Sequence, residues 1–148
     1  MPAQIDLTYA GNLRCTARHI SIGQSLSTDV STSQGGLGEN LSPTDLLVVA
    51  LGTCVLTTLA MVGERRKLDL SGLSACLEKD MVTTPVRRLG SIGMTITLPL
   101  GLRLSPEDRD RLENAVRRCP VKQSLHPDID VRVEFVYPDG CLLPAVSP

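Results

Sequence analysis

The chain of 148 residues carries fifteen basic and sixteen acidic side chains, a formal net charge of −1. Apolar residues make up 42% and charged residues 21%, a globular composition that excludes a disordered or low-complexity chain. Balanced charge and an aromatic inventory of Tyr9, Phe135 and Tyr137 leave neither the field nor the stacking platform that nucleic-acid binding needs.

The first third is patterned as strands and turns. Ile5, Leu7 and Tyr9 alternate, Gly11 and Asn12 signal a turn, and Leu13, Cys15 and Ala17 then oppose Arg14, Thr16 and Arg18 with period two. Residues 31–40 are rich in Gly, Ser and Thr and are expected to be a loop leading into a helix. Ser42 fits an N-cap, Pro43 the first helical position and Asp45 the acid of a capping box. The 18 residues from Leu46 to Gly63 carry no charge, which is close to the minimum for a membrane span. Gly52, Thr53, Thr57, Thr58 and Gly63 interrupt that run, and the rest of the chain is patterned for a soluble core. The expectation is therefore a long helix, apolar nearly all round and buried at the centre, not a membrane segment. Glu64, Arg65, Arg66 and Lys67 mark its return to water.

Leu73, Ala75 and Leu77 alternate with Ser74, Cys76 and Glu78, and after a break at Thr83-Thr84-Pro85 the pattern resumes with Ile92, Met94, Ile96 and Leu98. A second helix repeats the start signal with Ser105, Pro106 and Asp108, and presents Leu112, Ala115 and Val116 as one apolar stripe. It must break near Cys119, because Pro120 disfavours helical geometry in the residue before it. Ile129, Val131, Val133 and Phe135 close the pattern as a strand. Met61, Met81 and Met94 are expected to fill the core. The order of strands, helix, strands, helix and strand indicates an α+β layer arrangement with antiparallel pairing, not the βαβ alternation of a dinucleotide fold. No interdomain linker interrupts it, so residues 1–148 are expected to form one domain with a Pro-rich tail from about residue 138.

The chemistry available rests on five cysteines, Cys15, Cys54, Cys76, Cys119 and Cys141. Their number is odd, they are dispersed, and no basic segment followed by an apolar run opens the sequence. A disulfide framework is therefore not expected, and a cytoplasmic location is. No CxxC or HxxxH pair provides a local metal signature, so no metal or other cofactor is expected. Free cysteines are most often inert and buried, and Cys15 and Cys76 in strands suit that role, whereas Cys141 in the tail suits an exposed one. His19 and His126 could in principle partner a thiol, though nothing local supports it beyond ordinary surface histidines.

Two segments stand out together. Gly36-x-Gly38-Glu39-x-x-Ser42-Pro43-Thr44-Asp45-Leu46, followed by Ala50-Leu51-Gly52-x-Cys54, resembles the first half of the OsmC/Ohr family signature. Cys119-Pro120-Val121 after a second helix resembles the second half, and the likeness in order and spacing extends over roughly residues 5–136. The resemblance places the chain nearer the general OsmC-like branch than the Ohr branch proper. It implies an OsmC-like fold, with antiparallel sheets around a long buried helix, in an intertwined homodimer with two active sites at the dimer interface. It also implies a cofactor-free thiol peroxidase, with Cys54 attacking an organic hydroperoxide, Cys119 resolving the product and an external dithiol resetting the pair. An arginine from the N-terminal strands would activate the thiol, and Arg14 is the candidate, with Arg18 on the same strand face second.

The chain departs from the family at one point. The glutamate that holds this arginine is replaced by Thr44, and a neutral hydroxyl cannot clamp a guanidinium as a carboxylate does. Glu39 or Asp45 could substitute, although the helix cap competes for Asp45. The missing glutamate supports an alternative function, a non-catalytic dimeric protein that binds an apolar ligand or a partner on the same fold.

Overall fold

A computed structural model describes residues 2–137, so Cys141 and the Pro-rich tail lie outside the described residues. Two compact units divide the chain, residues 1–47 and residues 48–148. In the first, β1 (Ile5–Gly11), β2 (Arg14–His19) and β3 (Ser25–Thr28) form an antiparallel sheet in sequence order. Asn12 and Leu13 join β1 to β2 with φ of 52° and 60°. A two-residue hairpin loop needs the left-handed region at both positions, because only that twist matches the strands. Leu13, expected in the strand, is therefore a turn residue, and β2 starts at Arg14.

Beyond β3 the Gly-rich segment folds back on itself through a short 3-10 turn, Thr32–Gln34. Gly36 lies against Val30 so closely that a Cβ would collide with the Val30 carbonyl oxygen. Helix α1 (Pro43–Arg66) then begins on the expected capping box. The Asp45 N–H donates to Ser42 Oγ at 3.1 Å, while the Ser42 N–H and hydroxyl donate to Asp45 Oδ2 at 2.8 and 2.6 Å.

The second unit contains the core. Strands β4 (Ser74–Val82), β5 (Arg88–Thr97) and β6 (Asp130–Val136) lie in that order, β4 antiparallel to β5 and β6 parallel to it. Purely antiparallel pairing was the expectation, and here it is corrected. Helices α2 (Pro106–Arg117) and α3 (Pro120–Ser124) connect β5 to β6, and a crossover of that length brings the chain back in the same direction. The parallel register aligns Ile92, Met94 and Ile96 with Val131, Val133 and Phe135, and all six are buried. Leu112, Ala115 and Val116 of α2 join the same cluster. Arg66 at the end of α1 donates to Asp108 at the start of α2 at 2.8 Å.

Helix α1 adds Val48, Leu51, Val55 and Leu59 to that core, at the spacing of a single helical stripe. Gly52 in the same stripe leaves room for Leu77, whose Cδ1 would stand 2.9 Å from an added Cβ. The helix is long and apolar enough to cross a membrane by length and composition, yet one face of it packs into a protein core. It is not buried all round, as the sequence suggested. Leu47, Val49 and Met61 are 38%, 43% and 50% exposed in the single chain, because a cylinder resting on one layer buries only the stripe that meets it. Of the three methionines expected in the core only Met94 is there, and Met61 and Met81 are exposed.

Candidate functional site

Cys54 stands next to the buried stripe of α1, between Leu51 and Val55, and is half-buried. Cys119 arrives from the opposite side of the helix break that Pro120 imposes. α2 ends at Arg117, and Cys119 is the N-cap of α3 with φ −61° and ψ 122°, the extended geometry required before a proline. Its side chain is fully buried. Both thiols are free, and that of Cys119 hydrogen-bonds that of Cys54. Pro120 has no N–H, so the first-turn donors of α3 are those of Val121 and Lys122. The Val121 N–H points to Cys54 and to Cys119, and that of Lys122 to Cys119.

These contacts displace the two thiols in opposite directions. Burial pushes the Cys54 pKa up, but hydrogen bonds from Cys119, the Val121 N–H and the Thr58 hydroxyl outweigh it and bring the pKa below the ordinary thiol value. Burial pushes the Cys119 pKa up, and the Cys54 sulfur raises it further than the N–H groups of Lys122 and Val121 lower it. Within this unit the groups that favour a Cys54 thiolate are neutral donors. The arrangement can hold a nucleophilic sulfur and a protonated thiol side by side.

Arg14 lies in the first unit, half-buried on β2, between two carboxylates. It donates to Asp29 Oδ2 at 3.3 Å and to Glu39 Oε2. The Glu39 hydrogen bond, opposed by desolvation, raises the guanidinium pKa beyond its already high value. Of the two acids that could replace the missing glutamate, Glu39 therefore takes the arginine, and Asp45 is spent on the cap of α1. The Thr44 hydroxyl lies 3.1 Å from that of Ser42. Arg18, the second candidate, is exposed.

Asp29 is a residue that sequence reasoning missed. It is fully buried and accepts the N–H groups of Val30, Leu37 and Glu39 at 2.8, 3.3 and 3.1 Å. The Glu39 N–H, against desolvation, and then those of Val30 and Leu37 with Arg14, hold its carboxyl below the usual range. An acid immediately before a Gly-rich loop is the signal that could have found it, since Asp side chains close turns on nearby backbone N–H groups. Thr58 was also missed as a contact of Cys54, though its i+4 spacing places it on the same helix face.

The other candidates fall elsewhere. His19 shares a hydrogen bond of 3.2 Å with Ser21, and His126 accepts the Asp128 N–H at 3.2 Å. Cys15 is half-buried on β2, and Cys76 is exposed on β4.

A family model described as OsmC-like protein matches residues 36–134, a segment that contains Glu39, Cys54, Thr58 and Cys119. No curated protein matches the chain. Among solved structures, a protein of Psychrobacter arcticus 273-4, named as an osmotic stress induced and detoxification response protein, is 33% identical. The alignment covers 88% of this chain and 93% of that one, with a TM-score of 0.82. An OsmC-like protein of Mycoplasma pneumoniae (15% identity, 93% and 97% covered, TM-score 0.77) shares the fold. So does an organic hydroperoxide resistance protein OsmC of Legionella pneumophila (16% identity, 91% and 96% covered, TM-score 0.72). With a matched segment that runs through both cysteines, and a relative at one-third identity over nearly its whole length, the chain belongs to the OsmC-like protein family.

Proposed function

We propose that this protein reduces organic hydroperoxides through a Cys54 sulfenic acid that Cys119 resolves. The observation that carries the proposal is the meeting of two free thiols, Cys54 on α1 and the fully buried Cys119 at the N-cap of α3, whose pKa values are displaced in opposite directions. The Cys54 thiolate attacks the hydroperoxide oxygen, the O–O bond breaks, and the alkoxide leaves as an alcohol after taking up a proton. The Cys54–SOH then condenses with the Cys119 thiol, forming the S–S bond and releasing water. An external dithiol reduces that disulfide and is itself oxidised. Arg14 is the cation assigned to the reaction, and its hold by Asp29 and Glu39 removes the argument that the Thr44 substitution leaves the arginine unclamped. The Legionella relative's name, organic hydroperoxide resistance protein, favours the same substrate class.

The assignment includes a homodimer and a cytoplasmic location, where thiols are kept reduced. The exposed Leu47, Val49 and Met61 on α1, and Ile5, Leu7 and Tyr9 on β1 at 56%, 73% and 65% exposure, are apolar surface suited to a second copy of the chain. Light scattering is expected to return twice the mass of the chain.

The deciding experiment is intact-mass analysis under denaturing alkylation after one equivalent of an organic hydroperoxide. A loss of two hydrogens that maps to a Cys54–Cys119 disulfide is the expected result. Absent or scattered oxidation would overturn the peroxidase assignment and leave the non-catalytic binding protein in its place.

A further inference from the structure

Among the described residues Asp29 is the only buried charged side chain. A carboxylate stays out of water only where hydrogen bonds and opposite charge offset its desolvation. Its two oxygens have separate partners. Oδ1 accepts the N–H groups of Val30 and Leu37 at 2.8 and 3.3 Å, which fix the carboxylate on its own loop. Oδ2 accepts the Glu39 N–H at 3.1 Å and Arg14 Nη2 at 3.3 Å. The Asp29 N–H donates to the Leu41 carbonyl oxygen at 3.2 Å, so residues 29–41 close on Asp29 from both ends. Both members of the Arg14–Glu39 ion pair therefore meet at one oxygen.

Glu39 is placed differently. Its side chain is 63% exposed, where an ion pair contributes little by itself because solvent screens it and a long side chain must be held still. Both carboxylates reach the same guanidinium nitrogen, Nη2. Arg14 Nε is buried and has no hydrogen-bond partner among the described residues.

We infer that Asp29 is the positioning residue of Arg14, and that Glu39 is held in place for the arginine by Asp29. With one oxygen Asp29 sets the guanidinium and the backbone from which Glu39 reaches it, and it leaves the Nε–H group unspent. The role needs a carboxylate. An asparagine has one acceptor oxygen, and in either orientation its NH2 group would face two of the four donors that Asp29 now accepts.

The inference rests on the assignment of Arg14 to the hydroperoxide reaction, so its test has a kinetic and a spectroscopic arm. Hydroperoxide consumption with a dithiol reductant is measured for the full chain and for Asp29→Asn, Glu39→Gln, Arg14→Ala and the double variant Arg14→Ala/Asp29→Asn. Asp29→Asn is expected to slow the reaction by nearly the factor that Arg14→Ala does, about a hundredfold. Glu39→Gln is expected to slow it by only about two- to fivefold. Asp29→Asn should add nothing to Arg14→Ala, since a residue that acts through another has no effect once the other is gone. A further loss in the double variant, which a merely structural role would give, overturns the inference. So does a loss in Glu39→Gln equal to that in Asp29→Asn. Should Asp29→Asn fail to fold by circular dichroism, Asp29→Glu, which keeps the charge but moves it by one methylene, makes the same comparisons.

The spectroscopic arm needs no activity. The Arg14 Nε–H resonance, identified by its loss in Arg14→Ala, should be protected from exchange with water at neutral pH in the wild type and in Glu39→Gln. It should be lost in Asp29→Asn. A resonance that survives Asp29→Asn, or is unprotected in the wild type, overturns the inference whatever the kinetics show. If the resonance behaves as expected and no variant consumes hydroperoxide, the peroxidase assignment fails and Asp29 keeps its role.

Discussion

The two units surround a half-buried reactive or charged side chain by different means. Around Arg14 the solution is opposite charge, with Asp29 and Glu39 on one guanidinium and three backbone N–H groups closing on Asp29. Around Cys54 it is neutral donors, from Cys119, Val121 and Thr58. The difference suits the chemistry. A guanidinium stays charged and needs only to be placed, so fixed carboxylates serve it. A sulfur whose charge changes as it reacts is flanked within its own unit by neutral donors.

The largest expected effect breaks the second half of that comparison. Cys54→Ser should reduce hydroperoxide consumption by on the order of a thousandfold or more, measured by peroxide loss with a dithiol reductant. Unchanged consumption would remove Cys54 from the chemistry. Arg14→Ala tests the first half: hydroperoxide reduction should slow by about a hundredfold, the usual loss when one preorganised donor is removed. A rate that does not change would leave the Arg14 cluster with a loop-holding role alone.

Acid sharpens the contrast between the units. The Asp29 pKa is depressed in the folded chain. Its contribution to stability is therefore present above the unfolded value of about 3.9 and is lost as pH falls through the lower folded one. Cleavage of residues 29–39 by an acid-active protease should rise below about pH 4 in the wild type. Asp29→Asn should already show the raised cleavage at neutral pH, under a neutral-pH protease. Reactivity at Cys54 has the same sign, since its lowered pKa makes alkylation rise and level off at a lower pH than for an ordinary thiol. The smallest effect is local. Ser105→Ala removes an N-cap whose side chain accepts the Asp108 N–H, and should cost about 1 kcal/mol by urea denaturation. Activity should not change.

Much of this was legible because the signals are local. The capping boxes at Ser42 and Ser105, the break at Cys119 before Pro120, and the alternation through Ile92, Met94 and Ile96 each follow from a few neighbouring residues. Leu13 misled because its apolar side chain fits the strand alternation, whereas the hairpin twist demands a left-handed backbone there. The parallel pairing of β5 with β6 misled because each strand has the same pattern in either direction. Asp29 was hard to read because all but one of its partners, the Val30 N–H, come from residues eight to fifteen positions away, joined only when the Gly-rich loop closes.

The sequence by itself therefore determined the α+β class, the two helix starts, the break that exposes a cysteine to a new direction, and the pair of cysteines worth watching. These depend on backbone propensities and side-chain periods that act within a turn or a strand. Tertiary structure decided which carboxylates hold Arg14, which thiol is pushed toward its ionised form, and which face of α1 is buried. Those outcomes depend on distance and desolvation between segments far apart in the chain, such as Cys54 and Cys119, and no local pattern encodes a distance.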